Sequence, residues 1–593
     1  MMNESKYGVL RLAIRVCVHY FKTAKTWGAL EQGAVILYSV SWTLGVIAMQ
    51  MLFDIITNAG FDELSFRLVA LPLVFLSGIT IMQEMLHGAS NFLFDKVSYT
   101  NMGKFMKEFQ LKLGRISAEH FENTQFLDNV NKAKECVKYE SLGMFAYVCL
   151  RTFSYYLIFF ISIGTYLFWL SPTLPLVILV AFVPAILGQF AQVKIFSKLE
   201  DENAPLRRRC EYYHKAIAGR EFFKETRILG GFRYFYKLFS DTLMLITEKT
   251  WKANLKAFIL RLILNLISFV GLGASILLLF NATMAGNISV GAFAAVFAVL
   301  ARIFSIMDDV VSRHLSRGSQ SLGQVANFYR IMDMEEQNGE DGLIDFSRGV
   351  TAENVCFSYP GRNESTLQRV NLKINKGETI AIVGENGSGK TTLVRLLIGL
   401  YTPSDGKVEI GGLDSRKTKP SAIFQDISAV FQHFQRYKIT LAENVSISNT
   451  IKPPDINNIS KSLKESEFND DKISLDTMLS PEFDGIDLSG GQWQRLAIAR
   501  GLYRTNNFIV LDEPTAAIDP IEEGLIYNKF KDLSQGKCAI VVTHRLGSVK
   551  FSDRIVVMDN GTIADIGTHD ELIKRKGVYA NMWATQAAWY DKG

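Results

Sequence analysis

The sequence predicts a multi-domain membrane protein in which an all-α six-helix transmembrane domain with long cytoplasmic extensions precedes an α/β domain of the phosphate-loop type. Three observations predict this class. The uncharged apolar stretches of the 593-residue chain all lie before about residue 310. The remainder alternates short apolar runs with helical patterns, as a soluble α/β domain does. That second part contains GENGSGKTT, from Gly384 to Thr392, a glycine-rich loop that can hold a phosphate group.

Composition excludes several other classes. The net charge is only +5, whereas a nucleic-acid-binding protein presents a concentrated basic face, so no nucleic-acid partner is expected. The six cysteines are scattered and form no CxxC pair, which argues against a zinc site and against a disulfide framework. The N-terminus lacks the apolar core and small-residue cleavage site of a signal peptide.

Residues 8–22 predict an amphipathic helix on the cytoplasmic surface of the membrane. Their apolar residues recur at helical spacing with basic residues between them, a pattern typical of interfacial helices. A helix packed on protein is the alternative interpretation.

Long uncharged stretches contain the predicted spanning helices, each of which needs roughly 20 apolar residues. Gln32–Phe53 is one such stretch, and Leu68–Gln83 begins a second. Thr152–Val193 is interrupted by SPTLP and Leu262–Ala301 by NATMAGN, so each holds two spans joined by a short turn. The six predicted spans cover about residues 30–57, 68–94, 146–170, 174–196, 259–280 and 289–312.

Lys and Arg set the expected orientation, since loops rich in these residues stay in the cytoplasm. The two short turns contain none, whereas the long segments after spans 2 and 4 are basic, most densely in PLRRRCEYYHK. We therefore expect a multi-pass protein of the bacterial cell (cytoplasmic) membrane, embedded in the lipid bilayer, with both termini and the phosphate-loop domain cytoplasmic. The long loops mix charged and aromatic residues at helical spacing, which predicts that spanning helices extend into the cytoplasm and dock there.

Polar side chains inside spans are costly and usually face a partner or a cavity. They could be structural or could contact a substrate. The residues of this kind are Gln50, Gln83, Glu84, His87 and Arg151.

The predicted boundaries place the transmembrane domain at residues 1–333, a linker at 334–346 and the phosphate-loop domain at 347–593. Within the last, ETIAIV predicts a buried strand and KTTLVRLLIGLY a helix, with the glycine-rich loop between them. The glycines allow backbone N–H groups to turn onto phosphate oxygens, and the helix N-terminus adds favourable potential. Lys390 would contact the β- and γ-phosphates, and Thr391 would bind Mg²⁺. This pattern alone does not identify the reaction, because kinases and GTPases also use it.

A second predicted strand, FIVLDEPT, supplies acidic groups. Asp512 at its end suits Mg²⁺, and the next residue, Glu513, suits the polarisation of an attacking water.

Three further motifs point to a family. LSGGQWQR, from Leu488 to Arg495, is a glycine-bearing turn that enters a helix, VFQHF places Gln432 after a strand, and AIVVTHR places His544 after another. The order of these motifs resembles that of the ATP-binding cassette (ABC) family over essentially the whole chain, and LSGGQ is the discriminating motif. Six spans, two long loops and one C-terminal cassette resemble an ABC exporter half-transporter, with an α/β phosphate-loop ATPase domain.

The resemblance implies roles for particular residues. Tyr359 would stack on adenine, with a packed core tyrosine as the alternative. The LSGGQ residues would bind the γ-phosphate of ATP held on the other subunit, and Asp519 would contact the partner cassette. The implied catalytic residues are Glu513, His544, Gln432 and Lys390. The implied nucleotide-binding residues are Tyr359, Gly384, Asn386, Gly387, Ser388, Gly389, Lys390, Thr391, Thr392, Ser489, Gly490, Gly491 and Gln492. The implied Mg²⁺ ligands are Thr391, Gln432 and Asp512.

The resemblance also implies a mechanism, in which ATP binding and hydrolysis at two equivalent sites of a homodimer switch a membrane cavity from inward- to outward-facing. PEFDGIDLSGGQWQR, FQHFQRYKITLAENV and HFENTQFLDNV resemble nisin-type exporters of modified antimicrobial peptides. About 30 residues precede the first span, which is too few for the peptidase domain of some relatives. Three hypotheses follow: a peptide exporter, a multidrug or lipid exporter of the same mechanism, and a nucleotide-gated channel or regulator. The intact Glu513 argues against the third.

Overall fold

The structure is a computed structural model that describes residues 8–58, 66–138, 141–309, 316–362, 364–468, 470, 472–504, 507–513, 530–532, 534–544 and 546–590. The chain divides into two compact units. The first comprises residues 1–111 and 129–333, and the second comprises residues 112–128 and 334–593.

The first unit is helical, and two of its helices, α3 and α4, run on into the second unit. The helices are α1 (Val9–Thr23), α2 (Lys25–Asn58), α3 (Phe66–Leu113), α4 (Thr124–Lys138), α5 (Ser141–Arg151), α6 (Ile158–Leu170), α7 (Thr173–Ala218), α8 (Phe223–Ile228), α9 (Phe232–Met284), α10 (Val290–Asp308) and α11 (Ser316–Met332).

Five helical stretches among the described residues are long and apolar enough to cross a membrane. They are Lys25–Asn58, Val69–Leu113, Ser141–Leu170, Thr173–Phe196 and Phe232–Met284. The stretch predicted as a sixth span, 289–312, corresponds to α10, whose apolar part, Val290–Ile306, lies at the lower end of the range of about 17–25 residues that a span needs. The end of that predicted span lies outside the described residues.

The helices α7 and α9 pair antiparallel and are much longer than the spans predicted within them, 174–196 and 259–280. With 46 and 53 residues they measure about 70 and 80 Å, more than twice the thickness of the hydrocarbon core. A Cβ built on Gly271 of α9 would lie 2.4 Å from the Cβ of Ala181 in α7, so glycine is what permits this close approach. Both helices continue because the charged sequence beyond the apolar part still favours helix.

The amphipathic helix α1 packs one face against the rest of the first unit and leaves the other face exposed. Leu12, Val16 and Tyr20 are buried, whereas the apolar residues Leu10 and Ile14 are 72% and 58% exposed. The exposed apolar row is the face that an interfacial helix would turn to lipid.

A π-helical turn, Thr152–Leu157, joins α5 to α6 within one continuous span. Within this turn the Tyr155 carbonyl accepts from the Ile158 N–H and also from the Ser39 hydroxyl, at 2.8 Å.

Two polar groups within the spans have internal partners. The Gln83 amide donates to the Ser41 carbonyl at 2.9 Å, and Tyr166 donates to the Gln50 side-chain oxygen at 2.7 Å. These contacts support a structural role for Gln50 and Gln83.

The second unit contains two sheets. The four-stranded antiparallel sheet has the order β2–β1–β4–β5, and the six-stranded sheet has the order β10–β9–β3–β8–β7–β6, parallel except for β10. The strands are β1 (Val350–Phe357), β2 (Leu367–Ile374), β3 (Thr379–Gly384), β4 (Asp405–Ile410), β5 (Leu413–Asp414), β6 (Ile427–Val430), β7 (Phe508–Asp512), β8 (Cys538–Val542), β9 (Arg554–Asp559) and β10 (Thr562–Gly567).

The helices of the second unit cover these sheets and build a separate helical cluster. They are α12 (Lys390–Leu397), α13 (Pro420–Phe424), α14 (Leu441–Ser446), α15 (Ile456–Glu465), α16 (Gly490–Tyr503), α17 (His569–Lys574) and α18 (Val578–Tyr590). The strands β3, β7 and β8 are buried along their whole length, which explains their continuous apolar sequences.

Residues 112–128 form the tip of the first long loop, and they belong to the second unit although the predicted boundary assigned them to the first domain. The Glu119 carboxylate accepts from the backbone N–H and the hydroxyl of Thr402, and Glu122 accepts from Arg395 at 3.0 Å and from Tyr401 at 2.6 Å. These charge-assisted contacts give the tip a fixed place on the cassette.

The predicted linker, 334–346, is bonded to the cassette. Glu340 donates its N–H to the Lys417 carbonyl at 2.7 Å and accepts from the Lys419 N–H at 3.1 Å.

Candidate functional site

The phosphate loop lies between β3 and α12, as the sequence predicts. Gly389 occupies the N-cap of α12 with φ 98°, a left-handed conformation that favours glycine, and Gly387 has φ 85°. The hydroxyl of Ser388 is buried and has no hydrogen-bond partner among the described residues. Asn386 is exposed at the tip of the loop. A buried hydroxyl without a partner, in a loop with left-handed glycines, fits a phosphate oxygen.

Lys390 holds this loop closed. Its ammonium group donates to the carbonyl oxygens of Gly384, at 3.0 Å, and Glu385, at 2.9 Å. An ammonium group has three donors, so one remains for a phosphate oxygen. Burial lowers the pKa of Lys390, and the nearby charges of Glu513 and Asp512 oppose that shift.

Thr391 and Asp512 form an oxygen-lined corner beside the loop. The Thr391 hydroxyl lies 3.4 Å from Asp512 Oδ1, and Asp512 is only 2% exposed. Burial, together with the charge of Glu513, raises the pKa of Asp512 to about 6. A buried carboxylate beside a hydroxyl fits a hard cation such as Mg²⁺, which prefers oxygen ligands and would favour the ionised carboxylate.

Glu513 stands at the centre of the site. Gln432 Nε2 donates to Glu513 Oε2 at 2.8 Å, and His544 Nδ1 lies 3.4 Å from the same oxygen. The backbone of Glu513 has φ 47°, an unusual conformation for a non-glycine residue, and its N–H donates to the Val542 carbonyl at 3.0 Å. Strained backbone of this kind is concentrated at functional sites.

Tyr359 lies next to the phosphate-binding helix. Its hydroxyl forms a 2.9 Å hydrogen bond with that of Thr392, and its ring centroid is 5.1 Å from that of Phe357. The ring is half-buried, so one part packs on the core and another part remains open to a ligand.

We expect Tyr359→Ala to weaken ATP affinity by about 1–3 kcal/mol if the ring stacks on the base, which is the scale of aromatic–base stacking. Equilibrium titration with a fluorescent ATP analogue would measure this loss. The matched control is Tyr359→Phe, which keeps the ring but removes the hydrogen bond to Thr392. Unchanged affinity in Tyr359→Ala would show that the ring serves packing alone.

The LSGGQ turn is built as a capped helix start. Ser489 is the N-cap of α16; its hydroxyl accepts from the Gln492 N–H, and the Gln492 side chain accepts from the Ser489 N–H at 2.9 Å. Apart from the chain neighbours and the backbone of α16 itself, no described atom lies within 4 Å of a Cβ built on Gly490 or Gly491, so the turn is open to a phosphate. Such an end suits an anion.

The structure brings some predicted residues together and separates others. Lys390, Thr391 and Asp512 adjoin Glu513, which Gln432 and His544 also contact. The helix α16 packs its first turns, at Trp493 and Leu496, with α14 and α15, and its residues Ala497 and Ile498 against β6, β7 and β8. Asp519 lies outside the described residues. Sequence reasoning gave no individual role to Glu119 or Glu122, which look like ordinary surface acids in the sequence.

Comparisons with known proteins agree with this geometry. A family model described as ABC transporter matches residues 367–516. The chain is 30% identical over 518 residues to the subtilin transport ATP-binding protein SpaT of Bacillus subtilis, covering 85% of this chain and 83% of that protein. It is 28% identical over 491 residues to the nisin transport ATP-binding protein NisT of Lactococcus lactis subsp. lactis, covering 79% and 80%. It is 32% identical over 334 residues to the ATP-dependent lipid A-core flippase of Escherichia coli, covering 55% and 56%.

Among solved structures, that of a bacterial Atm1-family ABC exporter with ATP bound is similar, with a TM-score of 0.75 at 20% identity. The similarity covers 94% of this chain and 98% of the other. This likeness concerns the fold.

The chain belongs to the ABC transporter family. It is a half-transporter of exporter type, a multi-pass membrane protein in which a helical membrane domain is fused to one nucleotide-binding, ATP-hydrolysing cassette, and it is similar to the subtilin and nisin transport proteins. The predicted fold class, the ATPase activity and the resemblance to nisin-type exporters are therefore confirmed.

Proposed function

We propose that two copies of this chain form an exporter of a peptide or peptide-like natural product, with the cassettes on the cytoplasmic side. ATP held at the phosphate loop of one copy meets the LSGGQ turn of the other. ATP binding favours the closed pair of cassettes, and hydrolysis removes the γ-phosphate that joins them. Nucleotide binding does work here because it stabilises one global state over another.

The observation that carries this proposal is the division of the site within one chain. Glu513, Gln432 and His544 meet beside the phosphate loop, whereas the Ser489 turn is open and the start of its helix packs with α14 and α15. A second copy related by a two-fold axis would supply the missing turn to each site, because an isologous interface uses both surfaces twice.

The residues have distinct roles in hydrolysis. Glu513 takes the proton of the attacking water, and His544 and Gln432 hold its carboxylate in place. Mg²⁺ at Thr391, Asp512 and Gln432 would neutralise phosphate charge. Lys390 contributes a fixed positive charge to the phosphates, where charge changes during transfer.

The loop tip, residues 112–128, offers a path from nucleotide to membrane. Arg395 lies in α12, the helix that follows the phosphate loop, and it donates to Glu122 at 3.0 Å. Tyr401 contacts the same carboxylate, and its ring centroid lies 6.0 Å from that of Tyr359. If the cassette moves, Arg395 and Tyr401 would therefore both pass the movement to the loop tip.

The cargo is the finer part of the proposal. Two relatives matched over most of the chain are named for subtilin and nisin transport, which favours a modified peptide. The second candidate is a lipid or an amphiphilic drug, favoured by the match to a lipid A-core flippase, although that match covers only 55% of the chain.

We expect that purified protein in lipid nanodiscs hydrolyses ATP and that a modified cationic peptide stimulates this activity. Stimulation by lipid A or by hydrophobic drugs alone would favour the second candidate. The same panel applied to Glu513→Gln is the control, because stimulation that persists there would come from a contaminating ATPase. A folded, ATP-binding wild type without activity under any condition would contradict an autonomous homodimeric pump.

A further inference from the structure

The C-terminal helix α18 packs against the segment that follows His544. Tyr579 in α18 is buried with Leu546 and Val549, and Trp583 packs against the same cluster. The ammonium group of Lys550 lies 4.8 Å from the centroid of the Trp583 ring. The last helix of the cassette thus forms one wall of the region that carries the histidine.

Gln586 of this helix bonds to the backbone on both sides of position 545. Its side-chain oxygen accepts from the Leu546 N–H at 2.9 Å, and its side-chain nitrogen donates to the His544 carbonyl. Only one orientation of an amide satisfies a donor and an acceptor in this arrangement. The side chain therefore acts as a two-point clamp on the backbone of the histidine.

His544 lies beyond the end of its strand in the six-stranded sheet. Strand β8 ends at Val542, and the His544 side chain is 50% exposed, so packing alone fixes it weakly. Its Nδ1 is nevertheless only 3.4 Å from Glu513 Oε2. The position of a catalytic group matters steeply, since a 1 Å misplacement can cost roughly 10²-fold in rate.

We infer that Gln586 is a positioning residue for ATP hydrolysis, which acts by holding the backbone of His544 so that its imidazole meets Glu513. This inference rests on the role proposed above for His544. The inference gives the C-terminal helix a part in catalysis, although this helix contains none of the nucleotide motifs.

The test is a double-mutant cycle of Gln586→Met and His544→Ala in the full-length protein in nanodiscs, with release of radiolabelled phosphate as the readout. Methionine keeps the length and packing of the side chain but removes both hydrogen bonds. We expect kcat to fall roughly 10-fold or more in Gln586→Met with KM nearly unchanged, because ATP binding does not use this clamp. In the His544→Ala background the same substitution should have almost no further effect.

The matched control is Thr585→Ala, which should retain wild-type kcat, since among the described residues the Thr585 hydroxyl bonds only to the Asn581 carbonyl of its own helix, at 2.8 Å. Hydrogen exchange adds an independent readout: the Leu546 N–H should exchange faster in Gln586→Met while the melting temperature stays close to that of the wild type.

Wild-type kcat in Gln586→Met would overturn the inference, and so would an equal fold-loss in both backgrounds, because either result means that Gln586 does not act through His544. If His544→Ala itself hydrolyses ATP at the wild-type rate, the proposed role of His544 fails first. Because this result comes from the His544→Ala variant alone, it can be distinguished from a failure of the proposed Gln586 clamp.

Discussion

Glu513→Gln is expected to lower kcat for ATP hydrolysis by about 10²–10⁴-fold, the contribution of a positioned general base, while ATP affinity stays nearly unchanged. Glutamine has the shape of glutamate but takes no proton from water. Its side-chain oxygen can still accept the hydrogen bond that Gln432 donates at 2.8 Å in the wild type, so the geometry around the nucleotide should persist. The variant should accumulate with ATP bound and cassettes closed.

Two measurements check this expectation: phosphate release at saturating ATP, and retention of labelled ATP after removal of the free nucleotide. The matched control is Glu353→Gln, an exposed carboxylate on strand β1, which should leave both values unchanged. Wild-type turnover in Glu513→Gln would remove Glu513 as the base. If His544→Ala alone then lost ATP turnover, His544 would be assigned as the general base instead.

Lys390→Met is expected to weaken ATP binding by about 2–5 kcal/mol, the usual cost of removing one member of a buried, hydrogen-bonded charge pair. Two consequences combine in this variant. The phosphates would lose one positive partner close to the carboxylates of Asp512 and Glu513. The carbonyl oxygens of Gly384 and Glu385 would also lose the donor that closes the loop.

Isothermal titration with ATP in nanodiscs would give the affinity, and a melting curve without nucleotide would separate the two consequences. A melting temperature that falls together with affinity would indicate that Lys390 mainly closes the loop. An unchanged melting temperature with lost affinity would indicate direct contact with phosphate. Lys390→Arg is the informative companion, because it retains the charge but not the compact shape of the ammonium group. ATP affinity equal to that of the wild type in Lys390→Met would contradict both roles.

Sequence motifs predicted a set of nucleotide-site residues, but the contacts among these residues depend on the order of the strands. Gln432, Glu513 and His544 follow β6, β7 and β8, and parallel strands present their carboxyl ends at the same edge of a sheet. The sequence does not state that these three strands are neighbours. Because they are, Gln432 and His544 both reach one oxygen of Glu513.

The helical spacing of charged and aromatic residues also predicted that α3, α7 and α9 continue past their apolar parts, where hydropathy loses its signal although helix propensity does not. Some contacts could not be predicted, because nothing local encodes them. Gln586 lies outside the nucleotide motifs, and only the packing of α18 brings it to the backbone of His544. Glu119 and Glu122 likewise gain partners only through the fold.

The loop tip has a consequence for biosynthesis. Glu122 and Arg395 are separated by 273 positions, and Glu119 and Thr402 by 283. At roughly 5–20 residues per second, a ribosome would make these partners about 15–55 s after the tip. The carboxylates of Glu119 and Glu122 remain hydrated and resist aggregation until their partners have been made. Two distant parts of the chain therefore build the second unit. A cassette translated from residue 334 onward would lack residues 112–128, which complete its surface at Arg395 and Thr402.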